Sequence, residues 1–456
     1  MKKTIIRLLA ATVLTSGVLG CNDRLNVQPV TQIDAADALN TSNDVQAALV
    51  GCYEGLQSIY LYGGYLQFMS DLLADNGDEA FVGTFTDPAQ AQRKTLLVNN
   101  ATVANIWLSA YTAINRTNNV LANTSKLSTA TLRASVEGEA LFIRSLTYFD
   151  LVRLYAKAWN DGTPSANPGV PLVLTPTSSI TSANNVARNT VAEVYAQIIS
   201  DLTKAEAELP ATNGFFATRY SAAALLARIY LQQGNYPAAA AAANRVIASG
   251  RYQLNTNYAD NFLSNSDLNG NSPEDIFAIQ ISSQSGTNQL NTFYSQNSRA
   301  DVEAQQQFVD AFEAGDDRKL LYQDPAVNGG YYTNKYDVLY GNIKLIRLDE
   351  MYLIRAEANF RANTSVGASP LADINLIRDR AQLAPLSTLT LAAIMKERRL
   401  ELAFEGFALG DLKRYMQSTV DPLTGTSIPW NSTRLIFPIP LREINANPNL
   451  VQNAGY

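Results

Sequence analysis

Apolar and polar residues alternate along most of this chain with the 3.6-residue period of helices that bury one face. The widest apolar face lies over 130–157, where Leu141, Leu146, Phe149, Val152 and Tyr155 return at helical spacing. A first helix is predicted from Asn43 or Asp44, near its cap, through Ala47, Val50, Tyr53 and Leu56. Ile106, Trp107, Ala110, Tyr111 and Ile114 predict another over 105–121, with Trp107 in the core, and Val191, Val194, Ile198, Leu202 and Leu209 one over 190–209. Residues 220–250 read as two helices about the turn Gly234-Asn235-Tyr236-Pro237. Ala227, Tyr230 and Ala239 there match three positions of a tetratricopeptide unit. A helix over 345–361 and one from Ser369 or Pro370 to near Ala381 form a second pair of that kind, and a last helix is predicted over 389–408.

The pattern fails in other places. Residues 60–100 mix aromatics with glycines, and 160–176 is Pro/Gly-rich loop. From 252 to 344 the chain is rich in Asn, Ser, Gln, Gly and Tyr, with one short strand predicted over 276–281. Loops this long inside a compact protein are usually functional. Residues 409–456 are read as irregular, stopped by Pro429, Pro438, Pro440 and Pro448.

The start of the chain has a different logic. Lys2, Lys3 and Arg7 precede a short apolar run to Leu14, then small residues and Val18-Leu19-Gly20-Cys21. This is a secretory signal, too short to span a bilayer, and its end resembles a bacterial lipobox. Such signals are cut before the cysteine, which then carries lipid on thiol and amine, and two or more acyl chains anchor stably. The expected organisation is a signal peptide over 1–20, a lipidated tether over 21–33 starting at Cys21, and one domain over 34–456. Its ligand-binding loops are expected at about 57–104 and 252–344.

Composition then narrows the chemistry. Residues 1–20 carry three basic and no acidic side chains, so the formal charge moves from −6 for the whole chain to −9 without them. An acidic chain without a basic block is a poor nucleic-acid binder, and no nucleic-acid partner is expected. Histidine is absent, which removes Ser-His and Cys-His catalysis and His-ligated metals. With Cys21 lipidated, Cys52 has no disulfide partner and reads as a buried, inert thiol.

Glu397, Glu401 and Glu405 stand at i, i+4 beside Arg398 and Arg399. Paired carboxylates can run glycoside hydrolysis, but only from opposite sides of a cleft. A ladder on one face is expected to pair with Arg and Lys of neighbouring helices. Asp75-Asn76-Gly77-Asp78-Glu79 lacks the alternating ligands of a calcium loop and reads as a turn. No metal or cofactor is expected. The aromatic–glycine clusters point elsewhere. Neutral sugars want flat aromatic platforms flanked by amide and carboxylate side chains. Tyr60, Tyr62, Tyr65, Phe81 and Phe85 supply platforms, with Asp75 and Asn76 as polar partners. Tyr294, Tyr331 and Tyr332, near Asn291 and Asn328, form a second group, and Trp159 fits either core or surface.

Four stretches together resemble the SusD/RagB family of Bacteroidetes surface lipoproteins: EALFIRSLTYFDLVRLY (139–155), LDEMYLIRAEA (348–358), ERRLELAFEGFALGDLKR (397–414), and Phe437-Pro438-Ile439-Pro440 with Glu443-Ile444-Asn445 and Pro448-Asn449. One departure stands out. The family often has Arg two residues after the glycine of the third motif, where this chain has Ala408, which weakens the expectation of a local salt bridge. The resemblance implies a mainly α fold, with four tetratricopeptide-like helix pairs, long irregular loops and a few short strands. It also implies a binding protein rather than an enzyme. Such proteins capture a nutrient, usually a glycan and sometimes a peptide, for a SusC-like TonB-dependent transporter at the outer membrane. A carboxylate-based surface glycosidase, or an assembly protein without its own small ligand, are the alternatives.

Overall fold

The computed structural model describes residues 38–179, 181–262, 271–322 and 329–456; the lipobox with Cys21, the tether and Asn328 lie outside them. The helical pattern becomes a continuous stack. Helices α1 (Ser42–Leu56), α2 (Tyr65–Ala74), α3 (Thr86–Gln92), α4 (Ala101–Ala122), α5 (Ala130–Tyr155), α6 (Val191–Glu208), α7 (Arg219–Gln232) and α8 (Tyr236–Ile247) come first. Strand β1 (Glu79–Phe81) lies between α2 and α3. Then follow β2 (Asp275–Ile279), α9 (Gln289–Tyr294), β3 (Val302–Ala304), α10 (Gln306–Val309), β4 (Ile343–Arg347), α11 (Leu348–Ala362), α12 (Pro370–Arg380), α13 (Leu391–Glu401) and α14 (Ala408–Tyr415). Strands β5 (Thr419–Val420) and β6 (Ser427–Ile428) and helix α15 (Leu441–Ala446) end the chain.

Helices α1, α4, α5, α6, α7, α8, α11 and α12 each pack on the next in that order, making four consecutive pairs. Their starts are written in the sequence. Thr41 with Asp44, Thr190 with Glu193 and Thr218 with Ser221 form reciprocal capping boxes, each worth on the order of 1 kcal/mol. The first cap is thus Thr41, two or three residues before the expected Asn43 or Asp44. Trp107 is buried, and so is Cys52, whose thiol burial pushes up to about 12. Ion pairs set the register between neighbours: Arg144–Asp201 (2.8 Å) joins α5 to α6, Arg228–Glu350 (2.7 Å) α7 to α11, and Arg355–Asp373 (2.6 Å) α11 to α12.

Three expectations need correction. Helix α2 falls inside the stretch read as irregular; Leu66 to Ala74 are buried on every side, so it shows no one-sided apolar pattern. The helix expected from 345 begins at Leu348, because 343–347 pairs antiparallel with β2, with Asp275 opposite Arg347 and Ile279 opposite Ile343. The last helix, expected over 389–408, stops at Glu401 and restarts at Ala408. Between them the chain turns through positive φ at Phe404 (65°) and Gly406 (86°). The turn is held by donors from elsewhere: Lys335 Nζ to the Ala403 carbonyl (2.9 Å) and Tyr336 Oη to that of Phe404 (2.7 Å). Among the described residues no helix is long and apolar enough to cross a membrane.

Candidate functional site

The two irregular regions meet. Antiparallel pairing of β1 with β3 sets Glu79 opposite Ala304 and Phe81 opposite Val302, and Tyr331 bridges Ala304 on the outer side. Gln289 N–H donates to the Gly63 carbonyl (2.7 Å), tying α9 to the turn before α2. Segments more than 200 residues apart thereby build one surface.

Its floor is aromatic. Phe68 and Phe293 stack with centroids 4.4 Å apart and planes within 6°. On them rest Tyr65, edge-on to Phe293 at 5.2 Å, and Phe85, at 6.3 Å. Tyr60 stacks on Tyr65 at 5.4 Å, so two half-buried rings lie side by side, and Phe85 is 43% exposed. The Arg299 guanidinium covers Phe85 at 4.4 Å and pairs with Asp301 (2.8 Å). Gly83 lets the loop press down here: a Cβ at this position would sit 2.6 Å from Asp301 Cγ and 2.7 Å from Phe81 Cζ. Farther along β3, Tyr332 Oη donates to Glu303 Oε1 (3.0 Å); burial, helped by that carboxylate, pushes the phenol up to about 12. The surface therefore offers half-exposed rings beside the partly exposed Glu303 carboxylate, with the Arg299 guanidinium neutralised by the buried Asp301.

Of the residues predicted for the site, Tyr60, Tyr65, Phe85 and Tyr331 line this surface, and Phe81 supports it against Phe68, while Tyr332 is buried with its hydroxyl on Glu303. Tyr62 and Tyr294 are turned inward. Tyr62 Oη donates to Asp150 (2.6 Å) and Tyr294 Oη to Glu79 (3.3 Å), both buried. Asp75 is occupied as well, its Oδ1 accepting the N–H groups of Gly77, Asp78 and Glu79 at 2.8–3.0 Å. Asn76 is exposed on the far side of β1, against a separate cavity. Trp159 is half-buried against Tyr195. Phe293, Arg299, Asp301 and Glu303 were missed. Their only sequence signal is their place in the long irregular region, next to Tyr294. Tyr62→Phe should cost about 1–3 kcal/mol of stability, from the Asp150 Oδ2 left without its donor while Oδ1 keeps Arg153, and leave ligand affinity unchanged. Urea unfolding and titration calorimetry on one preparation check both halves.

The carboxylate ladder is structural. Glu397 pairs with Arg378 (2.6 Å) and Arg318 (2.9 Å), Glu401 with Arg318 (3.2 Å) and Arg380, and Glu405 with Lys335 (2.7 Å) and Arg347 (2.8 Å). None faces a second carboxylate across a cleft lined by the exposed aromatic rings.

At the departure after Gly406, the Asp71 carboxylate accepts the Gly406 N–H (2.7 Å) and the Ala408 N–H (3.1 Å). Burial pushes Asp71 from 3.8 up to about 7. Between those pH values the folded chain keeps a proton that the unfolded chain releases, so this group's contribution to stability falls as pH rises through that window and stays low above it. Asp71→Asn cannot titrate. Its unfolding free energy relative to the native chain should shift in its favour from pH 4 to pH 7.5, and a constant offset would rule this out.

Comparison with known proteins supplies the family. A family model described as starch-binding and associating with the outer membrane (SusD-like) matches residues 32–231, and the SusD family model matches 322–456. SusD-like protein P2 of Formosa agariphila is 27% identical over 97% of this chain and 98% of its own length. The starch-binding protein SusD of Bacteroides thetaiotaomicron is 27% identical over 58% of this chain and 65% of its own. A crystal structure of a SusD superfamily protein from Bacteroides thetaiotaomicron superposes with a TM-score of 0.80 at 25% identity, covering 91% of this chain and 99% of that one. A laminarin-binding SusD-like protein shares the fold, with a TM-score of 0.75 at 24% identity, over 91% of this chain and all of that one. Two family models, over 32–231 and 322–456, a relative aligned end to end and the shared stack of helix pairs agree: the chain belongs to the SusD/RagB family.

Proposed function

We propose that this protein is a cell-surface lipoprotein that captures a neutral oligosaccharide and delivers it to a SusC-like TonB-dependent transporter. The observation that carries the reading is the Tyr60–Tyr65 and Phe85 surface, with Asp301 and Glu303 beside it. Rings supply flat faces for sugar C–H groups, and the Glu303 carboxylate can accept hydroxyl hydrogens. The same carboxylates, with Arg299 already paired to Asp301, disfavour uronic and sulfated sugars. The rings stand on loops fixed to the helical stack, so little ordering is needed on binding. The family model's starch-binding description and the starch-binding relative from Bacteroides thetaiotaomicron support a glycan over a peptide.

The test is calorimetric titration of the chain from residue 21, carrying Cys21→Ser, with neutral and acidic oligosaccharides, and chromatography of the products. Saturable binding of a neutral sugar without turnover is expected. Turnover would make the protein a glycosidase, and binding of acidic sugars or peptides alone would refute the ligand class. Co-purification of a TonB-dependent transporter from the native host tests delivery. For the anchor, metabolic labelling with radioactive palmitate should mark the native protein and leave the Cys21→Ser variant unlabelled; equal labelling of both would rule out Cys21 as the lipidated residue.

A further inference from the structure

Arg299 lies on the turn that leads from α9 into β3, and one edge of its guanidinium is already occupied. Nε donates to Asp301 Oδ2 (2.8 Å) and Nη2 to Oδ1 (3.4 Å). The Phe85 ring lies under its Cζ at 4.4 Å. The outer fork, Nη1 with the second N–H of Nη2, has no acceptor among the described residues, and the side chain is 42% exposed.

The backbone is bent to put it there. Ala300, between Arg299 and Asp301, has a φ of 53°, a conformation that costs energy in a residue with a Cβ. Hydrogen bonds hold the bend: Ser298 N–H to the Ser295 carbonyl (3.1 Å), Arg299 N–H to that of Thr292 (3.1 Å) and Val82 N–H to that of Asp301 (2.8 Å). Strain held this way at a surface points to use of the side chain it presents. Burial lifts the Tyr65 phenol above its ordinary value; Tyr60, Asp87 and Asp301 add to that, and Arg299 opposes it. The guanidinium therefore stands within electrostatic reach of the Tyr60–Tyr65 pair as well as over Phe85.

A guanidinium fork offers two parallel N–H groups at fixed spacing, which suit two adjacent acceptor oxygens. A carboxylate or phosphate has such a pair, and so do neighbouring hydroxyls on a sugar ring. Charge separates them. Asp301 already neutralises Arg299, and Glu303, partly exposed, stands two residues farther along. An anion would meet both carboxylates, whereas a hydroxyl pair accepts from the fork without bringing a charge. We infer that Arg299 is the specificity-determining residue of the aromatic surface, its outer fork donating to two adjacent free hydroxyl oxygens of one sugar ring. This role rests on the aromatic surface being the glycan site, and it narrows the ligand. Internal units of a pyranose chain joined through O4 carry free hydroxyls on C2 and C3. Internal units of a glucan joined through O3 have no two free neighbours. The site should favour the O4-linked chain, since donors left without acceptors penalise the other.

The chain from residue 21, carrying Cys21→Ser, is titrated calorimetrically with five sugars. Maltohexaose, cellohexaose, xylohexaose and mannohexaose are joined through O4, and laminarihexaose through O3. At least one O4-linked sugar should bind at least about tenfold tighter than laminarihexaose. Arg299→Lys keeps the charge and loses the planar fork. It should weaken that O4-linked sugar at least about tenfold and laminarihexaose less than about threefold. Arg299→Gln should shift the preference in the same direction, and thermal unfolding shows that both variants keep the fold. Equal loss for both linkages would make Arg299 a prop for Phe85 and overturn its role in selection. Tighter binding of laminarihexaose, or silence toward all five sugars, overturns the ligand class. Tyr65→Ala separates this role from the surface itself. If Tyr65→Ala weakens binding and Arg299→Lys does not, the role of Arg299 alone is overturned. If Tyr65→Ala binds like the native chain, the glycan site lies elsewhere and the role falls with it.

Discussion

Arg380→Leu is expected to cost about 3–5 kcal/mol of folding free energy, the usual penalty for stranding a buried charge. Arg380 is 5% exposed and reaches Glu274 through Nη1 and Glu401 through Nη2, with Asp349 at 3.5 Å. Glu274, Asp349 and Glu401 are fully buried. Neighbours cannot fully replace it. Arg347 lies 3.7 Å from Glu274 and already serves Asp349 and Glu405, and Arg318 serves Asp316 and Glu397 besides Glu401. Leucine matches much of the arginine stem but leaves two carboxylates facing each other in a low-dielectric core. The deficit should shrink in acid, because Glu274, whose carboxyl burial already holds above its ordinary value, then takes up a proton in the folded variant. Adding Glu401→Gln should recover part of it, and Arg380→Lys should fall between, lacking the planar fork that serves two carboxylates. Urea unfolding of the four proteins checks this, and a loss below about 1 kcal/mol for Arg380→Leu would show that the network adds little.

Tyr65→Ala and Phe85→Ala should each weaken binding of the cognate neutral oligosaccharide at least tenfold, about 1.4 kcal/mol. Tyr65 carries the larger share, because its removal also frees Tyr60, which stacks on it at 5.4 Å. A buried aromatic anchor commonly dominates a binding surface. The double variant should lose less than the product of the two, since both rings rest on Phe293. Asp301→Asn should have a smaller effect on a neutral sugar and should admit acidic ones more readily, because it removes a carboxylate and releases Arg299. Unchanged affinity in folded Tyr65→Ala and Phe85→Ala proteins would move the site away from this surface.

The helical stack is legible in the residues alone. Capping residues at Thr190 and Thr218, small residues between α7 and α8, and one-sided apolar spacing in α6 depend only on neighbours within a few turns. The absence of histidine excluded whole classes of chemistry without any structure. The i, i+4 spacing of Glu397 and Glu401 announced an ion-pair face, though not that its partners would come from Arg318, Arg378 and Arg380. Tertiary structure decided the rest. Helix α2 is buried all round, so its period left no trace. Residues 343–347 became a strand only because β2, more than 60 residues earlier, offered them an edge. The turn after Glu401 rests on donors from Lys335 and Tyr336. The same holds for the candidate site. Composition located the aromatic-rich loops but could not separate Tyr65, half-exposed, from Tyr62, whose hydroxyl is spent on Asp150. Which way a loop side chain points is set by what packs behind it, and here that is Phe293, 228 residues beyond Tyr65.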